Sequence, residues 1–579
     1  MIFVKIVLKV VFVFKREGAI GFFRAAVRFF KHKRSYARFV KRQLSQADYL
    51  RREQRQGTRC LALQPLISVL IPTYNPPIHF LNEAIGSVVA QIYPNWELCI
   101  ADDASPNPVV RSVLLGWARR DSRIKVCFRE QNGHISLATN SALELARGDF
   151  IALLDHDDLL APEALLRVVH AINEQPNAQI LYSDEDKVDM HGRRSGPYFK
   201  CDWNYELFLG QNMISHLGVY RADLVRSVGA FRPGYEGSQD YDLALRCIER
   251  IAPEDIVHIP YVLYHWRTIP GSTALGIGEK PYAVTAAERA LDDHLGRTGR
   301  SGRACYTGWG YRIDYSNSLQ DECVTVVVPR RPTRENVDSL VCELLTLRYV
   351  GEIVVVGDGG DNTISSYGAA STGLIPRVLK ISSNCPFGQA MDIGVSASTC
   401  PVVLVLSPDV QVDGDSWLRE MLLQLKQPGV GVVGACLRSP QGKLIDGPKI
   451  LDGKGGVFVA FEGCERGDHG YFGRASLVQS LSAVSSSCML FNRVVHEKIS
   501  EFAVSATNSA QGVDFCSRVR SIGYRVIWTP YAELVLKEQA SEKLCINHLQ
   551  KNSVSVTGGY DFAYSPHLAR RSPGFFCSL

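Results

Sequence analysis

The chain has 579 residues, of which 46% are hydrophobic and 21% charged, and its net charge is +5. This length is too great for a single hydrophobic core, so we expect two or more domains of ordinary globular composition. The sixteen cysteines are scattered without any CxxC pair, which excludes a zinc framework or dense disulfide scaffold and favours reduced thiols in a cytosolic protein.

The N-terminal segment, residues 1–60, is strongly basic. It contains 16 Lys or Arg and three acidic residues, so the rest of the chain has a net charge of −8. Lys5 and Lys9 interrupt its apolar run, which leaves no stretch of the ~20 residues that a spanning helix needs, and no signal-peptide cleavage site follows. We expect an amphipathic helix in peripheral contact with an anionic membrane, at the cytoplasmic face of the inner membrane.

One other interpretation of this segment remains open. A basic helix can also pack against the body of its own protein, with its charges in solvent. Nucleic acid is not expected as a partner, because no recognisable RNA- or DNA-binding module follows the segment.

Residues 61–275 alternate between strand and helix patterns. We predict strands at 67–72, 97–101, 123–128 and 149–154, with helices at 78–90 and 136–147. This alternation is typical of a Rossmann-like, mostly parallel sheet, in which ligands bind at the carboxyl ends of the strands. The polar residues that follow three of these strands should therefore meet in one crevice.

The strand at 149–154 ends in an acidic cluster, Asp155-His156-Asp157-Asp158. Crowded carboxylates repel one another unless a cation offsets their charge. Mg²⁺ or Mn²⁺ typically binds one or two carboxylates together with phosphate oxygens, so Asp155 and Asp157 are candidate ligands. The alternative is that Asp158 caps a helix beginning near Pro162 while the other two are solvated.

The same unit occurs twice in the chain. ISVLIPTYN (67–75) matches VTVVVPRRP (324–332), and WELCIADDAS (96–105) matches GEIVVVGDGG (351–360). The strand before Asp155 matches 402–406, and YVLYHWR (261–267) matches YAELVLKE (531–538). We call 61–275 the first repeat and 323–579 the second repeat; a linker at 276–322, with a helix near 283–296, joins them.

Several motifs in the first repeat carry a family resemblance. IPTYN, ADDAS, ALLDHDD, YSDEDK, GSQDYDLALR and YHWR follow one another in this order. Together they resemble family 2 glycosyltransferases of the GT-A fold, in particular bacterial two-domain members that build cell-surface polysaccharides such as O-antigen. The resemblance implies an α/β chain of two tandem GT-A-like domains, and it covers 66–275 closely and 323–570 more loosely.

The resemblance also implies roles for individual residues. The nucleoside-binding residues would be Thr73, Tyr74, Asp102 and Asp103. Asp155 and Asp157 would bind a divalent metal, Mg²⁺ or Mn²⁺, that bridges the donor's diphosphate, and His265 would contact the metal or the diphosphate. Asp240 would be the catalytic base, next to Gln239 where the family usually has Glu.

Each of these side chains also has a structural interpretation. Asp240 could be a helix N-cap, and His265 a packed ring beside Trp266. The acids at 184–186 could line the donor-sugar side or form a solvated turn. Trp203 could stack on a sugar or belong to the core.

The second repeat lacks the residues to which we assign chemistry. Its alignment with the first repeat gives the following replacements: Asn75 by Pro332, Asp155 by Ser407, Asp240 by Gly512, His265 by Leu536 and Arg267 by Glu538. Asp358 and Asp409 remain as acids. We therefore expect this repeat to be degenerate and non-catalytic.

The sequence as a whole predicts an inverting, metal-dependent glycosyltransferase. It would move a sugar from a nucleotide-sugar donor to a glycan, or lipid-linked glycan, acceptor. Three alternatives remain open: an aspartate-based phosphatase, a non-catalytic carbohydrate-binding or assembly protein, and a bifunctional synthase with two active repeats. The phosphatase alternative would leave IPTYN and GSQDYDL unexplained.

Overall fold

The computed structural model describes residues 34–52, 61–268, 281–329, 334–357, 376–381, 385, 387–451, 456–499, 508–537 and 561–568. Most of the basic N-terminal segment lies outside these ranges, as do Pro332, Asp358 and Glu538. The described part of the segment is a helix, α1, at 34–52. Among the described residues, no helix has the length and apolar character needed to cross a membrane.

The first repeat alternates strands and helices as predicted, with additional elements in its later part. Its strands are β1 (Ile67–Thr73), β2 (Trp96–Asp102), β3 (Ile124–Phe128), β4 (Phe150–Leu153), β5 (Leu159–Leu160), β6 (Ile180–Val188), β7 (Arg194–Tyr198), β8 (Gly218–Arg221) and β9 (Ile256–Arg267). Its helices are α2 (Ile78–Val89), α3 (Pro108–Arg120), α4 (His134–Leu145), α5 (Ala164–Glu174), α6 (Tyr205–Gly210), α7 (Ala222–Ser227) and α8 (Gln239–Ile248).

These strands form one sheet in the order β3-β2-β1-β4-β8-β6-β9-β5, with β7 paired to β6. Strands β1 to β4 are mutually parallel, whereas β8 runs antiparallel to both of its neighbours. Residues 67–71 of β1 are buried on both faces, as is usual when helices cover both sides of a parallel sheet. The carboxyl ends of β1, β2 and β4 therefore meet at one edge.

The linker contains the expected helix and an element that the sequence did not indicate. Helix α9 spans Pro281–Arg297, in agreement with the prediction near 283–296. A hairpin follows, formed by β10 (Gly302–Tyr306) and β11 (Tyr311–Tyr315). Its tip includes Gly308, whose φ of +95° suits a glycine at a tight turn.

The second repeat has the same sheet order as the first, β14-β13-β12-β15-β23-β17-β24-β16. Its strands are β12 (Val324–Pro329), β13 (Val350–Gly357), β14 (Arg377–Lys380), β15 (Val402–Leu406), β16 (Val410–Gln411), β17 (Val430–Arg438), β18 (Leu444–Asp446), β19 (Pro448–Leu451), β20 (Val457–Val459), β21 (Gln479–Ser480), β22 (Ala483–Val484), β23 (Cys488–Asn492) and β24 (Arg525–Leu536). Its helices are α10 (Arg334–Leu344), α11 (Phe387–Ser396), α12 (Ser416–Leu425), α13 (Arg493–Ile499) and α14 (Asn508–Ser521). The identical order confirms an α/β chain with two related units.

Strand register corrects one detail of the sequence alignment. His265 of β9 lies opposite Asp186 of β6, and the equivalent pair in the second repeat is Val535 and Arg438. His265 therefore corresponds to Val535, not Leu536, and by the same register Arg267 corresponds to Lys537, not Glu538. The one-residue error arose because β-bulges in these strands hide the register from a sequence comparison.

Buried polar contacts hold the two repeats together. Asn204 donates from Nδ2 to the Ser480 carbonyl at 2.7 Å, and the Ser480 amide donates back to the Asn204 Oδ1 at 3.0 Å. The carboxylate of Glu206 accepts from the Ser480 hydroxyl at 2.5 Å and from Arg525 at 2.7 Å. A mispaired buried amide or carboxylate is costly, so these contacts fix the relative placement of the repeats.

The expectation that the cysteines are all reduced is wrong for one pair. Cys323 and Cys400 form a disulfide, with their Cα atoms 5.4 Å apart. These residues precede β12 and β15, which are adjacent parallel strands. Because register and not sequence spacing brings them together, their 77-residue separation gave no signal.

Candidate functional site

A cavity of about 890 Å³ opens at the carboxyl ends of β1 and β4. Asp155, just after β4, and Asp240, in the first turn of α8, both line it. Trp266 of β9 adds an aromatic wall. A cavity of this size is typical of sites for small molecules and cofactors.

Three side chains of kinds that bind metal ions lie close together beside this cavity. The ligand atoms of Asp155, Asp158 and His216 all lie within 4.8 Å of one another. The Nδ1 atom of His216 is buried and has no hydrogen-bond partner within the described ranges. A buried nitrogen without a partner is costly, so this atom is a candidate ligand for a metal ion.

Electrostatics around the acidic cluster favour a cation. Burial raises the pKa of Asp157 and raises that of Asp158 well above its ordinary value, and neighbouring carboxylates raise both further. Asp158 is nevertheless held by its neighbours: it accepts from the Tyr264 hydroxyl at 2.6 Å and from the Arg267 amide at 2.7 Å. A divalent cation would relieve the repulsion that remains.

The interpretation of Asp158 as a helix cap is wrong. Helix α5 begins at Ala164 with Glu163 in the N-cap position, and Asp158 lies further back along the chain. Its carboxylate instead fastens the loop after β4 to β9 through Tyr264 and Arg267. The N-cap interpretation of Asp240 is likewise wrong, since Ser238 occupies that position.

Asp240 is placed to act as a proton acceptor. Its carboxylate accepts a hydrogen bond from Asn212 Nδ2 at 2.8 Å, which orients it. Burial raises its pKa and the charge of Asp155 adds to this, whereas nearby His216 and the amides of the first helical turn act in the opposite direction. A carboxylate whose pKa lies above its ordinary value is the better base near neutral pH.

His265 does not face the cavity. Its Nδ1 lies 2.6 Å from Asp186 Oδ1, and Asp186 also pairs with Arg194 and with the hydroxyl of Tyr36 on α1. Side chains alternate along a strand, so Tyr264 and Trp266 of β9 point to the opposite face, toward the cluster and the cavity. The assignment of His265 to the metal stays a prediction that this arrangement does not favour.

The candidate nucleoside-binding residues lie side by side just beyond Pro72, which lines the cavity, but none of the four is among the lining residues. Thr73 pairs in register with Asp102, and the Asp103 amide donates to the Thr73 carbonyl at 2.8 Å. The Thr73 hydroxyl is buried without a hydrogen-bond partner in the described ranges, and Tyr74 is exposed. Both groups are thus available to a ligand.

The two aspartates of this group differ in their availability. Asp102 accepts from the Ser105 hydroxyl at 2.5 Å. Asp103 is fully occupied: Arg129 Nε donates to it at 2.8 Å and the Gly133 amide at 2.9 Å. Asp103 therefore holds the loop after β3, while Asp102 keeps the greater freedom to meet a ligand.

The acids of YSDEDK do not form a solvated turn. They lie on β6 and are buried, and Glu185 and Asp186 line the cavity. Trp203 is half-buried and packs against the core, with its ring centroid 5.0 Å from that of Phe208. The exposure of a polar run cannot be inferred from its composition when tertiary contacts supply the partners.

Sequence reasoning missed three contributors to the site. His216 lies in an irregular segment before β8 that carries no motif. The hairpin tip at 308–310 and Phe472 of the second repeat also line the cavity. The sequence around His216 contains no pattern that predicts a ligand. The hairpin tip and Phe472 reach the site only because the two repeats pack against each other.

The cluster fits the divalent ion that the sequence implied. Two carboxylates and an imidazole are ligands that Mn²⁺ accepts, and the carboxylates alone suit Mg²⁺. The unpartnered His216 nitrogen is the observation that supports the fit. The set differs from the sequence prediction in two members, with Asp158 and His216 in the positions assigned to Asp157 and His265.

Comparison with known proteins gives a consistent result. The profile of glycosyl transferase family 2 matches residues 68–229 and again 325–500, together more than half of the chain. The uncharacterized protein y4gI of Sinorhizobium fredii is 43% identical over 488 residues, which cover 82% of this chain and 53% of that protein. The O-antigen biosynthesis protein RfbC of Myxococcus xanthus is 31% identical over 488 residues, which cover 83% of this chain and 38% of that protein.

The chain thus spans about half of the first of these curated relatives and less of the second. A crystal structure of S. aureus TarS in complex with UDP covers 40% of this chain and 65% of its own, with 21% identity and a TM-score of 0.31. The two profile matches fall on the two repeats, and on their strength the chain belongs to glycosyl transferase family 2.

Proposed function

We propose that the first repeat is an inverting, metal-dependent glycosyltransferase. It would move a sugar from a nucleotide-sugar donor to a hydroxyl of a lipid-linked glycan during the synthesis of a bacterial cell-surface polysaccharide. One observation carries the proposal: Asp155 of the acidic cluster and Asp240, the candidate base, border the same cavity. Family membership and the O-antigen role named for a relative support it.

The donor would lie between β1 and the acidic cluster. Thr73, Tyr74 and Asp102 would contact its nucleoside, with Asp103 holding the adjoining loop. Asp155, Asp158 and His216 would hold Mg²⁺ or Mn²⁺ near the diphosphate. A bound divalent ion would offset the negative charge that develops on the departing nucleoside diphosphate.

Asp240 would take the proton from the acceptor hydroxyl. The hydroxyl oxygen then forms a bond to the anomeric carbon while the bond from that carbon to the diphosphate oxygen breaks. Attack from the side opposite the leaving group inverts the configuration. Asn212 keeps the carboxylate aimed into the cavity by its 2.8 Å hydrogen bond.

The acceptor and the location of the enzyme follow from the same proposal. A lipid-linked glycan would lie at the cytoplasmic face of the inner membrane, and the basic segment 1–60 would provide peripheral contact with its anionic lipids. Part of that segment also packs on the protein, because Tyr36 of α1 is buried and donates to Asp186. This contact supports the packing interpretation for residues 34–52, while membrane contact by the rest of the segment is part of the proposal and lies outside the described residues.

A panel of nucleotide sugars tests the proposal directly. We expect release of a nucleoside diphosphate from at least one donor when Mn²⁺ or Mg²⁺ is present, and none after chelation. Anomeric configuration in the product, read by NMR, would show inversion. Absence of turnover with all donors and both ions, or retention at the anomeric carbon, would refute the proposal.

A further inference from the structure

The rim of the cavity carries exposed aromatic side chains that the proposed chemistry does not use. Trp309, at the tip of the linker hairpin, is 54% exposed and lines the cavity. Tyr282, at the start of α9, also lines it and is equally exposed. Large aromatic surfaces left in solvent at a cavity mouth usually mark a binding surface.

The hairpin tip is held in place by both repeats. A Cβ atom on Gly310 would lie 2.5 Å from the Gly210 carbonyl and 2.8 Å from Leu477 Cδ2, so the tip is wedged between them. The Thr307 amide donates to the Gly310 carbonyl at 2.8 Å, which closes the turn. Trp309 is thus presented by a supported turn.

The second repeat supports the Trp309 side of the rim. The Trp309 ring lies against His469, with centroids 4.9 Å apart. Phe472 stacks on Tyr198 of the first repeat at 4.0 Å, and both rings line the cavity. The hydroxyl of Tyr471 donates to the Pro197 carbonyl at 2.8 Å. The degenerate repeat therefore forms part of the wall of the candidate active site.

Tyr282 lies close to the loop that precedes Asp240, and Trp309 lines the same cavity. Tyr282 packs against Gly237, where a Cβ atom would lie 2.8 Å from the tyrosine ring. Ser238, the residue between Gly237 and α8, donates to the Ala283 carbonyl at 2.8 Å. Helix α9 and the loop before Asp240 are thus one packed unit.

We propose that Trp309 and Tyr282 form the acceptor platform, a surface on which the sugar rings of a glycan stack while the terminal hydroxyl reaches Asp240. One face of a pyranose ring presents C–H groups, which pack well against an aromatic face, and the rim hydroxyls need polar partners. Gln211 and Gln239 line the same cavity and supply such partners. The direction from which the glycan enters depends on the proposed function, since it assumes that Asp240 is the base.

The linker and the second repeat therefore gain a role. They complete an acceptor site that the first repeat alone lacks. Specificity for the glycan would reside in residues outside the catalytic repeat, and a change in the hairpin tip would alter the acceptor without altering the donor.

The test compares Trp309→Ala, Trp309→Phe and wild type on two measurements. Binding is measured on a printed array of bacterial polysaccharide fragments, with Val494→Ala as the control, because Val494 is exposed on the second repeat outside the cavity lining. We expect wild type to bind at least one glycan, and Trp309→Ala to bind it about tenfold more weakly. Trp309→Phe and Val494→Ala should keep most of the affinity.

Donor hydrolysis without acceptor is the second measurement, and the control Val494→Ala, outside the cavity lining, should leave it unchanged. Equal glycan binding by wild type and Trp309→Ala would overturn the platform, as would a wild type that binds no glycan on the array. If wild type shows Trp309-dependent glycan binding but hydrolyses no nucleotide sugar, the proposed function fails and the platform stands. If hydrolysis is present and glycan binding ignores Trp309, the platform fails and the proposed function stands.

Discussion

The two repeats share a sheet order but differ in what their strand ends carry. Side-chain contacts between two adjacent strands recur in both repeats. Ser68 of β1 donates to Glu97 of β2 at 2.6 Å, and Thr325 of β12 donates to Glu352 of β13 at 2.7 Å. On the helix that carries the base position, the ion pair Asp242–Arg246 recurs as Asp514–Arg518. Packing and buried ion pairs have thus been kept in both repeats.

The candidate metal cluster has been lost completely from the second repeat. By register, Asp155 corresponds to Ser407, Asp158 to Val410 and His216 to Ser487. Asp157 alone keeps its acid, as Asp409. The retained acid is the one that lies outside the structural cluster, so its survival does not indicate a second metal site.

In the second repeat, neighbouring atoms occupy the space where the side chain of the candidate base would lie. Gly512 stands where Asp240 does, and a Cβ atom on it would lie 2.9 Å from Ser486 Cβ. A carboxylate could be accommodated only if the backbone or the neighbouring turn between β22 and β23 moved. The comparison shows that a repeat can lose the charged residues of its site and keep its fold, because the residues that form the site are not those that pack the sheet and helices.

The largest expected effect comes from Asp240→Asn in the first repeat. Asparagine keeps the shape and the contact to Asn212 but cannot accept the proton, so sugar transfer should fall by about 10²–10⁴-fold. As a control in the second repeat, Asp409→Ala removes the acid that corresponds to Asp157, and it should leave transfer unchanged. A reversed result in a sugar-transfer assay would exchange the roles of the two repeats.

A second difference between the repeats should appear as a pH effect on stability. His258 is buried between Asp184 and Asp202, at 2.9 and 3.0 Å, whereas the equivalent residue in the second repeat is Trp528. Burial alone would lower the pKa of His258, but the two carboxylates raise it to about 9. The stabilisation, of about 3 kcal/mol, is therefore complete below the unfolded pKa near 6.5 and disappears as pH rises through about 9.

Denaturant unfolding of wild type and His258→Gln at pH 6 and pH 10 measures this contribution. The free energy of unfolding should differ strongly between the two proteins at pH 6 and much less at pH 10. An equal difference at both pH values would show that His258 is neutral in the folded protein and that its contribution is packing alone.

Measurements of metal affinity distinguish the cluster seen in the structure from the set of ligands that the sequence predicted. His216→Gln and Asp155→Asn should weaken Mn²⁺ binding by about 10–100-fold, an effect seen even for outer partners of metal ligands. Asp157→Asn and His265→Gln should have smaller effects. Titration of free Mn²⁺ by electron paramagnetic resonance ranks the four variants; the opposite ranking would favour the sequence assignment.

The smallest expected effect comes from restoring the acid in the second repeat. Gly512→Asp should destabilise the protein by about 1–3 kcal/mol, because the new side chain crowds Ser486. It should add no transferase activity, since the cluster residues of that repeat remain absent. A thermal melt and a sugar-transfer assay on Asp240→Asn with and without Gly512→Asp test both statements; recovered transfer would mean that the second repeat retains a working site.

Several features could be predicted from the sequence because they depend on local patterns. Apolar runs with helical or strand periodicity gave the first four strands and the helix near 283–296. The order of motifs gave the family, and the resemblance gave Asp240 as the candidate base. Asp155 was a candidate from the pattern itself, since residues that end parallel strands meet at one edge of the sheet. The repeat was visible because packing residues recur at nearly constant spacing.

Only the tertiary structure decided which other side chains lie around these carboxylates. His216 joins the acids of β4 through the packing of an irregular segment, and alternation along β9 turns His265 toward Asp186 while Trp266 faces the cavity. The hairpin tip and the second repeat reach the site across an interface far along the chain. Sequence patterns report the periodicity of single helices and strands. A site is an arrangement of side chains from several such elements, and only long-range packing sets the distances between them.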